Sequence, residues 1–202
     1  MARQHKFQEA LKLLDSHPQF WTAVDENKQS LMHWGALLGN QELVACACDK
    51  SVDVDVQEAN KQTPLMWAVQ RDQIPVALLL LDRKADIQHH DFQGATPFMV
   101  AIQRGSYRSA LLLMHRGKHS LVSDRDNNGC TAAHWAAYTG DVTALKLLEY
   151  FEADLHALDN ALLSPLHRAV CNSKTEVAAF LLERRSDPLQ ENAKQESCLD
   201  IA

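Results

Sequence analysis

Glycine and proline are scarce in this chain, at seven and six of 202 residues, and no apolar run approaches the roughly 18–20 residues that a membrane span needs. The longest are Ile74 to Leu81 and Val177 to Leu182. The opening Met1-Ala2-Arg3-Gln4-His5-Lys6 lacks the apolar stretch and small-residue cleavage site of a secretory signal. Cysteines are few and odd in number: Cys46, Cys48, Cys130, Cys171 and Cys198 show no regular pairing and read as reduced thiols of a cytosolic compartment. Positive charge is short as well. Twenty lysines and arginines against 26 acidic residues leave a net charge of −6, which argues against a sequence-independent grip on nucleic acid. What is plentiful is hydrophobic side chain, 46% of the chain, enough to bury a core and exclude wholesale disorder.

By length this is one ordinary domain, but the chain also repeats itself. A serine or threonine followed by small or apolar residues recurs at Ser30, Thr63, Thr96, Thr131, Ser164 and Ser197, at spacings of 33, 33, 35, 33 and 33. The one departure is a two-residue insertion around 118–123. Five places before each anchor stands an acidic or related residue: Asp25, Glu58, Asp91, Asp126, Asp159 and Asn192. About 17 places after it comes an apolar pair, as in Leu80-Leu81, Leu113-Met114, Leu147-Leu148 and Leu181-Leu182.

The segments Ser30-Leu31-Met32-His33-Trp34-Gly35, Thr63-Pro64-Leu65-Met66-Trp67-Ala68, Thr96-Pro97-Phe98-Met99-Val100-Ala101, Thr131-Ala132-Ala133-His134-Trp135-Ala136 and Ser164-Pro165-Leu166-His167-Arg168-Ala169 resemble the Thr-Pro-Leu-His-x-Ala signature of the ankyrin repeat family. The resemblance implies an all-α solenoid of helix-turn-helix repeats with hairpin loops. Its units are a capping helix and linker over 1–24, repeats over 25–57, 58–90, 91–125, 126–158 and 159–191, and the start of a sixth over 192–202. Local chemistry points the same way. A hydroxyl before proline starts a helix, because the hydroxyl caps a free amide and proline at the first position gives up no hydrogen bond. Ala36, Ala68, Ala101, Ala136 and Ala169 let paired helices approach. Gly39, Gly105 and Gly140 end the first helices as left-handed caps, with Asp72 and Ser173 in the other two repeats. Phe7, Ala10, Leu11 and Leu14 fall on one face and read as the leading cap. The sixth unit breaks off within a helix, so the chain is expected to be a segment of a longer protein.

Catalytic and metal chemistry find little support. His33, His134 and His167 occupy the signature histidine, whose ring bridges the anchor hydroxyl and backbone of adjacent repeats. Cys46 and Cys48, with one residue between them on a helix, point about 200° apart and fill core. No histidine is tied to a cysteine by a local motif, and phosphate-cradling glycine loops are absent. The expectation is no catalytic residue, no cofactor and no metal.

Tryptophan placement is more telling. Trp34, Trp67 and Trp135 stand four residues after an anchor, with Val100 and Arg168 at the same place in the other repeats. In an ankyrin stack this position lies on the inner helix toward the concave face, so the rings either pack beneath the hairpins or supply the aromatic anchors of a groove. The candidate groove residues are Trp34, Leu38, Trp67, Gln70, Arg71, Val100, Arg104, Trp135, Tyr138 and His90, with Asp55, Gln57, His89, Asp91, Arg125 and Asp126 along a rim. A linear peptide with an apolar and an acidic or amide-bearing residue suits it.

The His-Trp and Met-Trp steps, with the terminal Glu196-Ser197-Cys198-Leu199-Asp200-Ile201-Ala202, resemble the ankyrin segment of the DHHC S-acyltransferases of huntingtin-interacting type. That family's catalytic Asp-His-His-Cys motif is absent here. The resemblance implies a recruiting module for peptides with a Gln-Pro step, clamped by a tryptophan at Trp67; the family's partnering asparagine falls on Leu38. It would be cytoplasmic, on the cytosolic face of the Golgi or another endomembrane. A free-standing cytosolic adaptor or inhibitor stays open as the second reading. Either way the expected partner is a protein or linear peptide and not nucleic acid, no membrane span is expected in this segment, and the expected state is a monomer.

Overall fold

The structure, a computed structural model, describes residues 9, 11–117 and 119–202. It divides into two compact units, the first ending at Asp86 and the second running from Ile87 to Ala202. Among the described residues there are helices and a single isolated bridge, Val24 with Ser30, so the fold is all-α as the repeats require.

In the first unit a helical stretch over 11–16 and a 3-10 turn at Pro18–Trp21 precede α1 (Leu31–Leu38), α2 (Gln41–Asp49), α3 (Pro64–Gln70) and α4 (Ile74–Asp82). Helix α1 packs on α2 and α3, and α4 packs on α3 and α2. The second unit holds α5 (Pro97–Gln103), α6 (Tyr107–Gly117), α7 (Ala132–Thr139), α8 (Val142–Tyr150), α9 (Pro165–Cys171), α10 (Thr175–Glu183) and α11 (Cys198–Ile201). Here α7 packs between α5 and α9, and α11 packs on α9. Of the expected leading cap, Leu11 is buried and Lys50 of the α2 terminus pairs with Asp15 at 2.8 Å; Phe7 and Ala10 lie outside the described residues.

Each anchor hydroxyl caps a helix. Ser30, Thr63, Thr96, Ser164 and Ser197 sit in extended backbone and accept the amide N–H three residues on. Where a histidine follows at that third position it returns the favour: His33 Nδ1 accepts Ser30 N–H at 3.2 Å, and His167 Nδ1 accepts Ser164 N–H at 3.1 Å. The far nitrogen reaches onward to the next repeat, with His33 Nε2 bonded to Gln62 O at 3.0 Å and His134 Nε2 to Leu163 O at 2.9 Å. Both rings therefore work as neutral imidazoles, because Nδ1 must accept while Nε2 donates. His167 departs from the expected bridge, since its Nε2 is buried with no partner among the described residues.

The five alanines of the first helices are fully buried, as their small size requires for close approach. Of the expected apolar pairs, a single member is fully buried in each: Leu80, Leu113, Leu148 and Leu181. Neighbouring residues lie 100° apart around a helix, so the second member sits at the edge of the core or outside it: Met114 is still buried at 6%, and Leu182 is exposed. The insertion forms a 3-10 turn, His119–Ser123, that buries Leu121 and Val122 and packs on α6, while Lys118 lies outside the described residues.

Helix termination follows the expected left-handed residues. Gly140 has φ +85°, and Asp72 and Ser173 adopt φ of 53° and 54° at the equivalent place. A left-handed residue with a Cβ costs roughly 1–2 kcal/mol. Ser173→Gly is therefore expected to stabilise the chain by about 0.5–1 kcal/mol and Gly140→Ala to destabilise it by about 1 kcal/mol, read from urea midpoints. Burial also holds His33 and His134 below the ordinary histidine value of 6.5, against weaker upward pulls from their carbonyl partners. The unfolded chain binds those protons first, so stability should be full above about pH 6.5 and fall as pH drops below it. A urea midpoint unchanged between pH 7.5 and 5.5 would contradict this.

Candidate functional site

The residues five before each anchor build the ground on which the candidate site stands. One oxygen of each accepts two backbone N–H groups, two and four residues on, and so closes the hairpin. The bonds are 2.9 and 2.8 Å for Asp25, 2.9 and 3.1 Å for Glu58, and 2.9 and 2.9 Å for Asp91. They are 2.9 and 2.9 Å for Asp126, and 2.8 and 2.9 Å for Asp159. Asp91 and Asp126 are consequently buried, where the sequence pattern suggested an open rim. Backbone bonds between successive hairpins, such as Ala59 N to Asn27 O and Asn160 N to Asn128 O, both 2.9 Å, hold the ladder together within each unit.

In two repeats the second carboxylate oxygen meets the side chain four after the anchor, and what stands there decides the local chemistry. In the Thr131 repeat, Trp135 Nε1 donates to Asp126 Oδ2 at 3.1 Å. In the Ser164 repeat, Arg168 Nη2 donates to Asp159 Oδ2 at 2.5 Å and to Cys130 Sγ at 3.4 Å. Backbone N–H donors and Arg168 hold the Asp159 carboxyl below the usual range although burial pushes it up. Burial pushes the Cys130 thiol up to about 11, so it is a protonated, unreactive wall at neutral pH. With glutamate in place of aspartate at 58, the second oxygen meets Asn60 Nδ2 at 3.4 Å, and Trp67 Nε1 is buried with no partner among the described residues.

In the first unit the candidates Trp34 and Trp67 are brought together. Their rings cross edge to face at a centroid distance of 5.6 Å, and Trp67 also packs edge-on to His33 at 5.2 Å. The two tryptophans differ in exposure: Trp67 is 9% exposed and Trp34 43%. Leu38 at the end of α1 is 73% exposed, Gln70 is half-buried and Arg71 exposed at the end of α3. Trp34 and Leu38, four residues apart on one helix face, form the accessible apolar part of this site.

In the second unit Val100 is buried within α5, and Arg104 at its end is exposed. His90 is exposed in the preceding hairpin, and burial pushes the Asp124 carboxyl above its ordinary value. Trp135 and Tyr138 cross edge to face at 6.0 Å. They share a cavity of about 220 Å³ with Asn128, Cys130, His134 and Arg168. Arg168 was visible in the sequence only as an exception at a tryptophan position; the nine-residue offset from a hairpin carboxylate, shared with Trp135, is the signal that pairs it with Asp159. Among the described residues no three His, Cys, Asp or Glu side chains converge as metal ligands, and no helix is long and apolar enough to cross a membrane.

A family model described as ankyrin repeats (3 copies) matches residues 1–91, 47–124 and 98–192. Among curated proteins the chain is similar to palmitoyltransferase AKR1 of Candida albicans, 34% identical over 85 residues, which cover 42% of this chain and 10% of that protein. It is also similar to palmitoyltransferase AKR1 of Lachancea kluyveri, 36% identical over 77 residues, 38% of this chain and 10% of the relative. A third relative, probable palmitoyltransferase AKR2 of Saccharomyces uvarum, is 30% identical over 81 residues, 40% of this chain and 11% of its own. The matched segment thus spans about a tenth of these relatives.

Asp159 carries both the hairpin and the arginine, with a side chain 1% exposed against 29% for Arg168. Asp159→Ala removes the acceptor of two backbone N–H groups and leaves a half-buried cation without its counter-ion, so it should cost about 2–3 kcal/mol in a urea titration. Glu183→Ala, at an exposed side chain, is the matched control expected to stay within about 0.5 kcal/mol.

Proposed function

The chain belongs to the ankyrin repeat family, and from that premise we propose that it is the substrate-recruiting region of a protein S-acyltransferase. Ankyrin repeats make it a protein-interaction module; the acyl-transferring domain belongs to the parent protein and not to these residues. In this reading residues 25–57, 58–90, 91–125, 126–158 and 159–191 are five repeats. Their first helices, with the cap residues that end them, present Trp34, Leu38, Trp67, Gln70, Arg71, Arg104, Trp135 and Tyr138, with His90 in a hairpin, to peptide segments of cytoplasmic partners; Val100, buried in the core, is not among them. A module on the cytosolic face of an endomembrane would hold a substrate's linear segment while a nearby cysteine is acylated.

The observation that carries the reading is the Trp34 and Trp67 pair. A large ring 43% exposed, seated on a second ring that is buried, is a rigid apolar platform with little entropy left to lose on binding. The indole N–H of Trp67, unpartnered among the described residues, supports recognition of a peptide that brings an acceptor. The similarity to palmitoyltransferases supports acyl transfer as the parent's chemistry.

Trp34→Ala, at an exposed position, should leave the circular dichroism spectrum and urea midpoint nearly unchanged. It should weaken binding of a fluorescent Gln-Pro-containing peptide at least tenfold, about 1.4 kcal/mol. Trp67→Phe keeps most of the ring volume and should weaken the same peptide several-fold. Unchanged anisotropy titrations for both variants would remove the reading.

A further inference from the structure

We propose that the cavity beside Trp135 and Tyr138 in the second unit is a separate recognition pocket for an acidic side chain, glutamate or aspartate, of a partner's linear segment, with Arg168 as the carboxylate's anchor. The proposal rests on the reading of the chain as a peptide-binding module and assigns it a second contact of different chemistry.

The argument begins with which polar groups around the cavity are already used. Asp126 receives Asn128 N–H and Cys130 N–H on one oxygen and Trp135 Nε1 on the other. Asp159 receives Ala161 N–H and Leu163 N–H on one oxygen, and Arg168 Nη2 with the Cys130 thiol, at 3.7 Å, on the other. Both ring nitrogens of His134 are engaged, with Thr131 and with Leu163 O. The strong acceptors are therefore spent. The donors are not. Arg168 Nε is buried without a partner among the described residues, and the arginine's hydrogen bonds there run only through Nη2. A guanidinium has five N–H donors in a fixed fork and no acceptor, so this cavity is short of acceptors.

A carboxylate is the side-chain group that only accepts, with about four lone-pair directions, whereas an amide would bring two donors to a place whose carboxylates are occupied. Hydrogen bonds from a charged donor to a charged acceptor are roughly twice as strong as neutral ones. Asp159 does not cancel the site, because one arginine can bridge two carboxylates from different edges. Arg125, whose Nη1 donates to Gly129 O at 2.8 Å and Leu158 O at 2.7 Å, adds a second cation to the two aspartates nearby. The remaining walls are the Trp135 and Tyr138 rings and the protonated Cys130 thiol, which suit the methylene stem of an acidic residue. About 220 Å³ holds one such side chain and excludes a folded surface. The accessible rings and the shortage of acceptors together call for an extended segment with an acid at one position.

The test uses the whole chain, labelled with nitrogen-15, and four probes: acetyl-Ala-Glu-Ala-amide and its counterparts with Gln, Leu and Lys in the centre. The glutamate probe should move the Trp135 indole and Arg168 Nε–H resonances, with a dissociation constant at least fivefold below that of the other three. Arg168→Lys keeps the charge but loses the fork and should weaken the glutamate probe at least fivefold. Tyr138→Ala, at an exposed residue that leaves the core intact, should weaken it two- to fivefold. Equal affinity for glutamine and glutamate, preference for leucine or lysine, shifts confined to other residues, or absence of any shift would each overturn the pocket. The Trp34-dependent titration of the Gln-Pro peptide is independent of it. Gln-Pro peptide titrations unchanged by Trp34→Ala and Trp67→Phe, with the glutamate preference intact, would sink the recruiting reading alone; Trp34-dependent peptide binding without the glutamate preference would sink this pocket alone.

Discussion

The structure depends on a carboxylate that closes each hairpin. Asp25, Glu58, Asp91, Asp126 and Asp159 each take two backbone N–H groups on one oxygen, and Asn192 does the same with its amide oxygen at 2.8 and 3.1 Å. Hairpins carry orphan amides that burial would otherwise penalise by a kcal/mol or more each. Satisfying them locally lets the following anchor residue enter the extended conformation from which it caps a helix. His33 and His134 then tie their caps to the next hairpin, so local closure becomes contact between repeats.

The same carboxylate has an oxygen left over, and the repeats differ in how it is used. Asp126 locks an indole and Asp159 a guanidinium, while Glu58 turns to Asn60 and Trp67 goes without. A constraint needed for folding thereby sets the chemistry of the position four after the anchor, which is where the exposed rings and the cavity lie. Stability and recognition share atoms here. The share is unequal: one oxygen is committed to backbone in every repeat, and only the other varies.

Most of the secondary structure was legible. A hydroxyl before proline, glycine six residues after the signature histidine and buried alanines between them are local signals, and helix starts and stops are decided by local hydrogen bonds. Asp72 and Ser173 at positive φ were readable because register required it, against their own preference. The candidate site was legible only in outline. Trp34 and Trp67 stand at equivalent places in the repeat, yet one is 43% exposed and the other 9%, since burial depends on what packs over each ring.

Register alone thus determined the all-α repeat fold, the caps and the equivalent positions of side chains within each repeat, because each is fixed by interactions within a few residues or by a period of about 33. Which of those side chains are accessible, which polar atoms are spent and which are left over was decided by packing between repeats. Arg168, Asp159 and Cys130 show why. Cys130 belongs to one repeat and the ion pair to the next, and such a meeting across a stacked interface leaves no mark within either repeat's own sequence.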